Sequence, residues 1–147
     1  MGTFISHSPQ ETEKLGFAWG QEARPGWLIG LCGDLGAGKT QLVRGLAGGL
    51  GSPARVHSPT FALMEEYRAG RLPLVHLDLY RLDSPEAVAR AGLEEYLNAP
   101  QGVVVVEWIE RWLGPEAPVV RARRLRLVRF EIVDEMVRKL VYEDFGA

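Results

Sequence analysis

Eight consecutive residues, Gly33-Asp34-Leu35-Gly36-Ala37-Gly38-Lys39-Thr40, restrict what this chain can fold into more than any other part of it. They fit the pattern GxxxxGK[ST]. They lie between an apolar run, Trp27 to Cys32, and a segment in which Leu42, Val43, Leu46 and Leu50 recur at helical spacing. A strand, a glycine-rich loop and a helix in that order make a phosphate-binding loop. Glycine lets the backbone wrap closely around phosphate oxygens, successive N–H groups point inward, and the helix N-terminus adds the positive end of its dipole. In such a loop Lys39 neutralises the β and γ phosphates. Thr40 offers its hydroxyl to Mg²⁺, an ion that keeps most of its water and needs few protein ligands.

A magnesium-nucleotide site also needs an acid close to the metal, commonly at the end of a neighbouring strand. Glu107 and Asp78 are the two candidates. Glu107 ends the run Val103 to Val106, at the C-terminal end of an apolar strand, where ligands gather in open α/β sheets. Asp78 ends Leu74-Val75-His76-Leu77. Glu107 is the favoured metal acid, directly or through water, and its alternative is to cap the strand and pair with an arginine such as Arg111. Asp78 is assigned to orient water or to support the metal from further out, against a local turn cap or a salt bridge to Arg81.

Composition narrows the class. The chain has 147 residues, 46% of them hydrophobic, and a net charge of -2. That length buries a core without disulfides or a structural metal, and the balanced charge argues against a chain whose main task is to grip nucleic acid through phosphates. The single cysteine, Cys32, lies inside an apolar run and allows neither an internal disulfide nor a thiolate metal site. The longest pure apolar runs, Val103 to Val106 among them, are four residues, far short of a membrane span. The first residues have neither a basic region nor an apolar core of signal-peptide length. A cytoplasmic protein is the expectation.

No repeat or low-complexity linker divides the sequence, so one domain over residues 1–147 is expected. Ser8-Pro9-Gln10-Glu11 opens a helix as a capping box with proline at the first helical position, and Leu15, Ala18 and Trp19 are expected to share its buried face. Gly51 is placed to end the helix that follows the loop. Segments 61–68 and 72–79 read as a hairpin, Ser84-Pro85-Glu86 as a second capped helix start, and Val103 to Val106 as a strand buried on both faces. Strands over 123–132 and 136–143 pair across Val133-Asp134-Glu135. The fold class is α/β and P-loop NTPase-like: a mostly parallel sheet with antiparallel edge strands, flanked by helices.

Several features carry two readings each. Val56-His57-Ser58-Pro59-Thr60-Phe61 follows the loop helix where nucleotide switches place a mobile segment, and Ser58 and Thr60 could reach phosphate or metal; a polar turn stiffened by Pro59 is the plainer reading. His57 and His76 are read as surface or core histidines, with no zinc site. Arg121, Arg123, Arg124, Arg126 and Arg129 most simply make a solvated face on an edge strand, with a contact to tRNA or to an acidic partner surface as the other possibility. Trp108 and Trp112 are core aromatics or partner anchors.

Read together, Gly33 to Thr40, Ser58-Pro59-Thr60-Phe61, His76-Leu77-Asp78-Leu79-Tyr80-Arg81-Leu82 and Glu107-Trp108 resemble the bacterial TsaE family, in the right order across about residues 33–110. The resemblance implies a small Mg²⁺-dependent ATPase of tRNA threonylcarbamoyladenosine biosynthesis. It would bind ATP, act with TsaB and TsaD to permit repeated cycles, and meet tRNA only indirectly or through the shared complex. By the same resemblance Gly36, Ala37, Gly38, Lys39, Thr40 and Gln41 cradle the nucleotide, with Ser58 to Phe61 as the sensing loop. Thr40 and Glu107 hold Mg²⁺, Asp78 supports hydrolysis, and the segment around Pro9 to Thr12 reaches toward adenine. One departure stands out: Ile109 follows the Glu-Trp pair where family members often have proline. The competing readings are a small-molecule P-loop kinase, with the helix from Ser84 as its lid, and a binding module that responds to nucleotide without hydrolysing it. The chain has no NKxD motif for guanine.

Overall fold

The computed structural model describes residues 1–53, 55–56, 63–113 and 121–146. Along the chain these form β1 (Gly2–Ser6), α1 (Pro9–Glu22), β2 (Trp27–Cys32), α2 (Lys39–Gly49), β3 (Met64–Tyr67), β4 (Leu74–Asp78), α3 (Pro85–Arg90), α4 (Glu94–Asn98) and β5 (Val103–Glu107). A 3₁₀ turn over Ile109–Arg111 follows, then β6 (Arg124–Ile132) and β7 (Arg138–Gly146). The strands form a seven-stranded sheet in the order β1-β7-β6-β2-β5-β4-β3. Its centre, β6-β2-β5-β4, is parallel. β3 pairs antiparallel at one edge, and β7 and β1 do so at the other. The α/β class read from the sequence is the class observed.

Alternation along the strands sorts the apolar side chains onto two faces. Trp27, Ile29, Leu31, Val103 and Val105 pack with Leu42, Val43 and Leu46 of α2 and Trp19 of α1. Leu28, Val104 and Val106 pack on the other face with Val88 of α3, Leu97 of α4 and Ile109. Every residue of β5 is buried, as expected for a parallel strand covered on both sides.

The helix starts follow the local chemistry of their sequences. Ser8 Oγ accepts the Glu11 N–H at 3.2 Å while Glu11 Oε1 accepts the His7 N–H at 3.0 Å, and Ser84 Oγ accepts the Ala87 N–H at 3.1 Å. The buried face of α1 differs from expectation. It consists of Thr12, Gly16, Trp19 and Gly20, with Leu15 partly buried and Ala18 exposed. The reason is that α1 meets α2 glycine to backbone. A Cβ on Gly16 or Gly20 would lie 2.3 Å from a carbonyl oxygen of α2, and one on Gly45 or Gly49 would lie 1.9 or 2.1 Å from a carbonyl oxygen of α1. Arg71 then reaches back from the β3–β4 turn to donate to the Gly20, Gln21 and Ala23 carbonyls, the orphan acceptors at the end of α1.

The arginine-rich strand also departs from expectation. β6 is interior, hydrogen-bonded to β2 on one side and β7 on the other. Arg126 stacks its guanidinium 4.8 Å from the Trp19 ring centre and 5.1 Å from that of Tyr142, and Arg124 lies 5.0 Å from Trp27. Both donate to Asp144 of β7. Arginine can occupy such a place because its planar group stacks on aromatic faces while its edge binds a carboxylate. Arg121, Arg123 and Arg129 remain exposed.

Two outcomes follow from this packing. Gly45→Ala forces a methyl into the Glu13 carbonyl and should lower stability by about 1–3 kcal/mol or more, read as a lower urea midpoint at unchanged slope. Asp144 has its carboxyl held below the usual range, first by the hydrogen bond from Arg126. A pKa lowered on folding stabilises the fold fully above about pH 4 and loses that contribution as pH falls through the lowered value. Asp144→Asn should therefore cost about 0.5–1.5 kcal/mol at pH 7, with the gap between variant and parent closing near pH 2 in a pH series of melting curves.

Candidate functional site

The glycine loop leaves the C-terminal end of β2 and turns directly into α2. Gly36 and Gly38 have φ of 79° and 99°, and a Cβ at either would meet nothing within 4 Å. Left-handed backbone is therefore what demands glycine there. The tip is a turn closed by the Ala37 N–H on the Asp34 carbonyl at 3.2 Å. Lys39, Thr40 and Gln41 open α2, where backbone N–H groups have no intrahelical partner. Concave loop and helix end together can receive an anion.

Strand register brings the acids to this loop. Glu107 lies level with Leu31 of β2 on one side and Asp78 of β4 on the other. Both carboxylates thus stand at the C-terminal edge of the parallel strands, beside the loop. Thr40 Oγ1 donates to Glu107 at 3.3 Å (Oε1) and 3.4 Å (Oε2). A hydroxyl and a carboxylate facing across this distance are hard oxygen donors of the type Mg²⁺ accepts, and a nucleotide-bound Mg²⁺ requires only one or two of them from protein. Asp78 Oδ1 accepts the Tyr80 N–H at 3.0 Å, the turn-cap geometry.

His76 is the residue that reading the sequence underrated. It is fully buried, and its Nε2 lies 2.6 Å from Glu107 Oε2. Glu107 itself is 4% exposed, so the imidazole fixes a carboxylate that would otherwise be held by little else in the core. With the carboxylate accepting from Nε2–H, Nδ1 is left as a bare acceptor, and it has no hydrogen-bond partner among the described residues. The available signal was spacing: His76 is two residues before Asp78 and shares its face of β4.

Lys39 is 5% exposed. Its Nζ donates to the Gly33 carbonyl at 2.5 Å and lies 3.5 Å above the centre of the Trp108 ring. Burial lowers its pKa, and the carboxylates of Glu107, Glu110 and Asp78 oppose that shift. Trp108 adopts φ 62°, in the left-handed region, and its ring also meets Tyr80 at 5.0 Å. That conformation turns the chain from β5 into the 3₁₀ turn, where Ile109 is buried against Gly30. Ile109, where the sequence departs from the family pattern, packs its side chain against the bare face of Gly30. Cys32 donates its thiol to the Val128 carbonyl, and burial raises its pKa to about 11, which keeps it an unreactive thiol near neutrality.

The remaining sequence candidates are scattered in outcome. Gln41 lies beside the loop with Oε1 accepting from Arg44. Thr12, in the segment assigned to adenine, has its hydroxyl 2.7 Å from Ser6 Oγ. Ser58 and Thr60 lie outside the described residues. No helix among the described residues is long and apolar enough to cross a membrane.

A family model described as "Threonylcarbamoyl adenosine biosynthesis protein TsaE" matches residues 6–139. The "tRNA threonylcarbamoyladenosine biosynthesis protein TsaE" of Nostoc sp. is 48% identical over 105 residues, covering 69% of this chain and 64% of that protein. Its namesake in Bacillus subtilis is 45% identical over 101 residues, covering 69% and 62%. The match to these two relatives spans somewhat less than two thirds of their length. The Rickettsia felis protein of that name is 36% identical over 138 residues, 91% of this chain and 75% of its own. The crystal structure of YdiB from Bacillus subtilis superposes with a TM-score of 0.72 at 30% identity, covering 96% of this chain and 83% of that one. The family model over most of the chain, the relatives' identity and the shared overall fold show that the chain belongs to the TsaE family.

Proposed function

We propose that this chain binds ATP with Mg²⁺ and hydrolyses it in tRNA threonylcarbamoyladenosine biosynthesis, acting with TsaB and TsaD so that the modification can be repeated. The observation that carries the reading is the Thr40 hydroxyl facing the His76-held carboxylate of Glu107, immediately after the glycine loop. The names of the relatives support the pathway.

In this reading the loop amides and the N-terminus of α2 receive the phosphates. Lys39 leaves the Gly33 carbonyl and the Trp108 face to neutralise charge at the β and γ phosphates. Thr40 and Glu107 hold Mg²⁺, which supplies charge neutralisation on the transferring phosphoryl group. His76 keeps Glu107 aimed at Thr40, and Asp78 orients the attacking water. Among the described arginines near the loop none is placed as a finger by this reading, so turnover by the chain alone is slow and partners accelerate it. A kinase lid gains no support, because α3 buries Val88 on the sheet face opposite α2.

Purified chain incubated with γ-labelled ATP should release labelled phosphate slowly, and faster once TsaB and TsaD are added. No acceleration, or transfer of label to a small acceptor, would defeat the proposal. Lys39→Ala should cut turnover by about 10²–10³-fold with an unchanged circular dichroism spectrum; a melted spectrum would show that Lys39 serves the core instead. Because nucleotide draws Lys39 from the Trp108 ring, tryptophan emission should change on saturation with ADP, and Trp108→Phe should abolish the change. Identical responses in parent and variant would place the signal elsewhere.

A further inference from the structure

The glycine loop is tied to a part of the chain that no motif singles out. β6 and β7 are joined at the tip by residues 133–137, where Asp134 Oδ1 accepts the N–H groups of Met136 and Val137, each at 3.0 Å. Arg138, the first residue of β7, spreads its guanidinium over this tip. Its NH1 donates to the Asp134 carbonyl at 2.8 Å, the Val137 carbonyl at 3.2 Å and the Glu135 carbonyl at 3.3 Å. Its NH2 reaches 102 residues back along the chain to the Gly36 carbonyl at 3.2 Å.

Gly36 is the positive-φ residue of the loop's tip turn, closed by Ala37 N–H on Asp34. In a peptide plane the carbonyl and the following N–H point in opposite directions. Holding the Gly36 carbonyl toward the hairpin therefore holds the Ala37 N–H the opposite way, onto the Asp34 carbonyl that closes the tip turn. Ala37 anchors the C-terminal side of the tip in the core, but Leu35 is 65% exposed and Gly36 and Gly38 have wide backbone freedom. The Gly36 peptide gains its fixed orientation from the turn bond on one side and Arg138 on the other. The start of the loop is braced by the same hairpin, since a Cβ on Gly33 would lie 2.9 Å from Phe130 Cβ and from its carbonyl oxygen.

We propose that Arg138 is a positioning residue for the phosphate-binding loop, which it holds in its anion-receiving shape from the β6–β7 hairpin. It acts through the Gly36 carbonyl and makes no contact with the nucleotide. The inference deepens the nucleotide-binding reading, but its first test does not depend on that reading. Arg138→Ala removes all four donations, and Arg138→Lys keeps one charged donor on a shorter reach. Arg121→Ala, at the opposite end of β6, removes the same charge far from the loop.

In nucleotide-free protein, Arg138→Ala should speed amide hydrogen exchange across residues 33–40 by about three- to tenfold, with Arg138→Lys intermediate and Arg121→Ala like the parent. Unchanged exchange in the loop, or an acceleration confined to residues 133–137, would overturn the proposal. ADP affinity measured on the same variants should fall by about three- to tenfold for Arg138→Ala, at a melting temperature close to that of the parent and with partial recovery in Arg138→Lys. Equal ADP affinity in parent and Arg138→Ala would overturn the functional half. A parent that binds no ADP would instead defeat the nucleotide reading, while the exchange result still decides whether Arg138 orders the loop.

Discussion

Gly16 and Gly20 of α1 lie so close to Gly45 and Gly49 of α2 that one methyl at any of these positions would overlap a carbonyl oxygen of the facing helix. Such contact gains dispersion over long stretches of main chain and leaves no room for adjustment. It fixes where α2 lies on the sheet. Because Lys39 and Thr40 open α2, it also fixes where the ammonium and the hydroxyl stand relative to the C-terminal edge of β2, β5 and β4. Arg71, binding the last carbonyls of α1, anchors the other end of the helix pair to the β3–β4 turn.

The candidate site is then a matter of register. Parallel pairing sets Leu31, Glu107 and Asp78 level with one another, so a loop that leaves β2 meets two carboxylates without any long excursion. A buried carboxylate is costly unless its oxygens are engaged, and His76 with Thr40 engages those of Glu107. Lys39 is treated similarly: with its ammonium buried, it is satisfied by a carbonyl and an aromatic face. These contacts gather the ammonium, the hydroxyl and the carboxylate at the end of the glycine loop, beside a tryptophan in left-handed backbone.

Much of this was readable in the amino acids, because the signals are local. The two Ser-Pro starts, the loop between strand and helix, and the valine strand with its terminal glutamate depend on interactions within a few residues, and each appears where expected. The arginines of β6 misled, since alternating charge and apolar residues describe a solvated edge equally well as a strand whose cations stack on distant aromatics. Which applies depends on Trp19, Trp27, Tyr142 and Asp144, all far away in sequence. His76 likewise gave only a weak signal, because a lone histidine in a strand acquires meaning from the residue diagonal to it on the next strand.

The sequence by itself determined the phosphate-binding loop, the α/β alternation and the pair of acids to consider, since backbone freedom at glycine, capping geometry and apolar spacing act over one or two turns of chain. Only the tertiary structure decided that β7 separates β1 from β6, that α1 and α2 touch through glycines, that Glu107 faces Thr40 with His76 behind it, and that Arg138 meets Gly36. Those arrangements require groups tens of residues apart to approach within hydrogen-bonding or van der Waals distance, and such closeness is set by the packing of whole elements rather than by the preferences of any one segment.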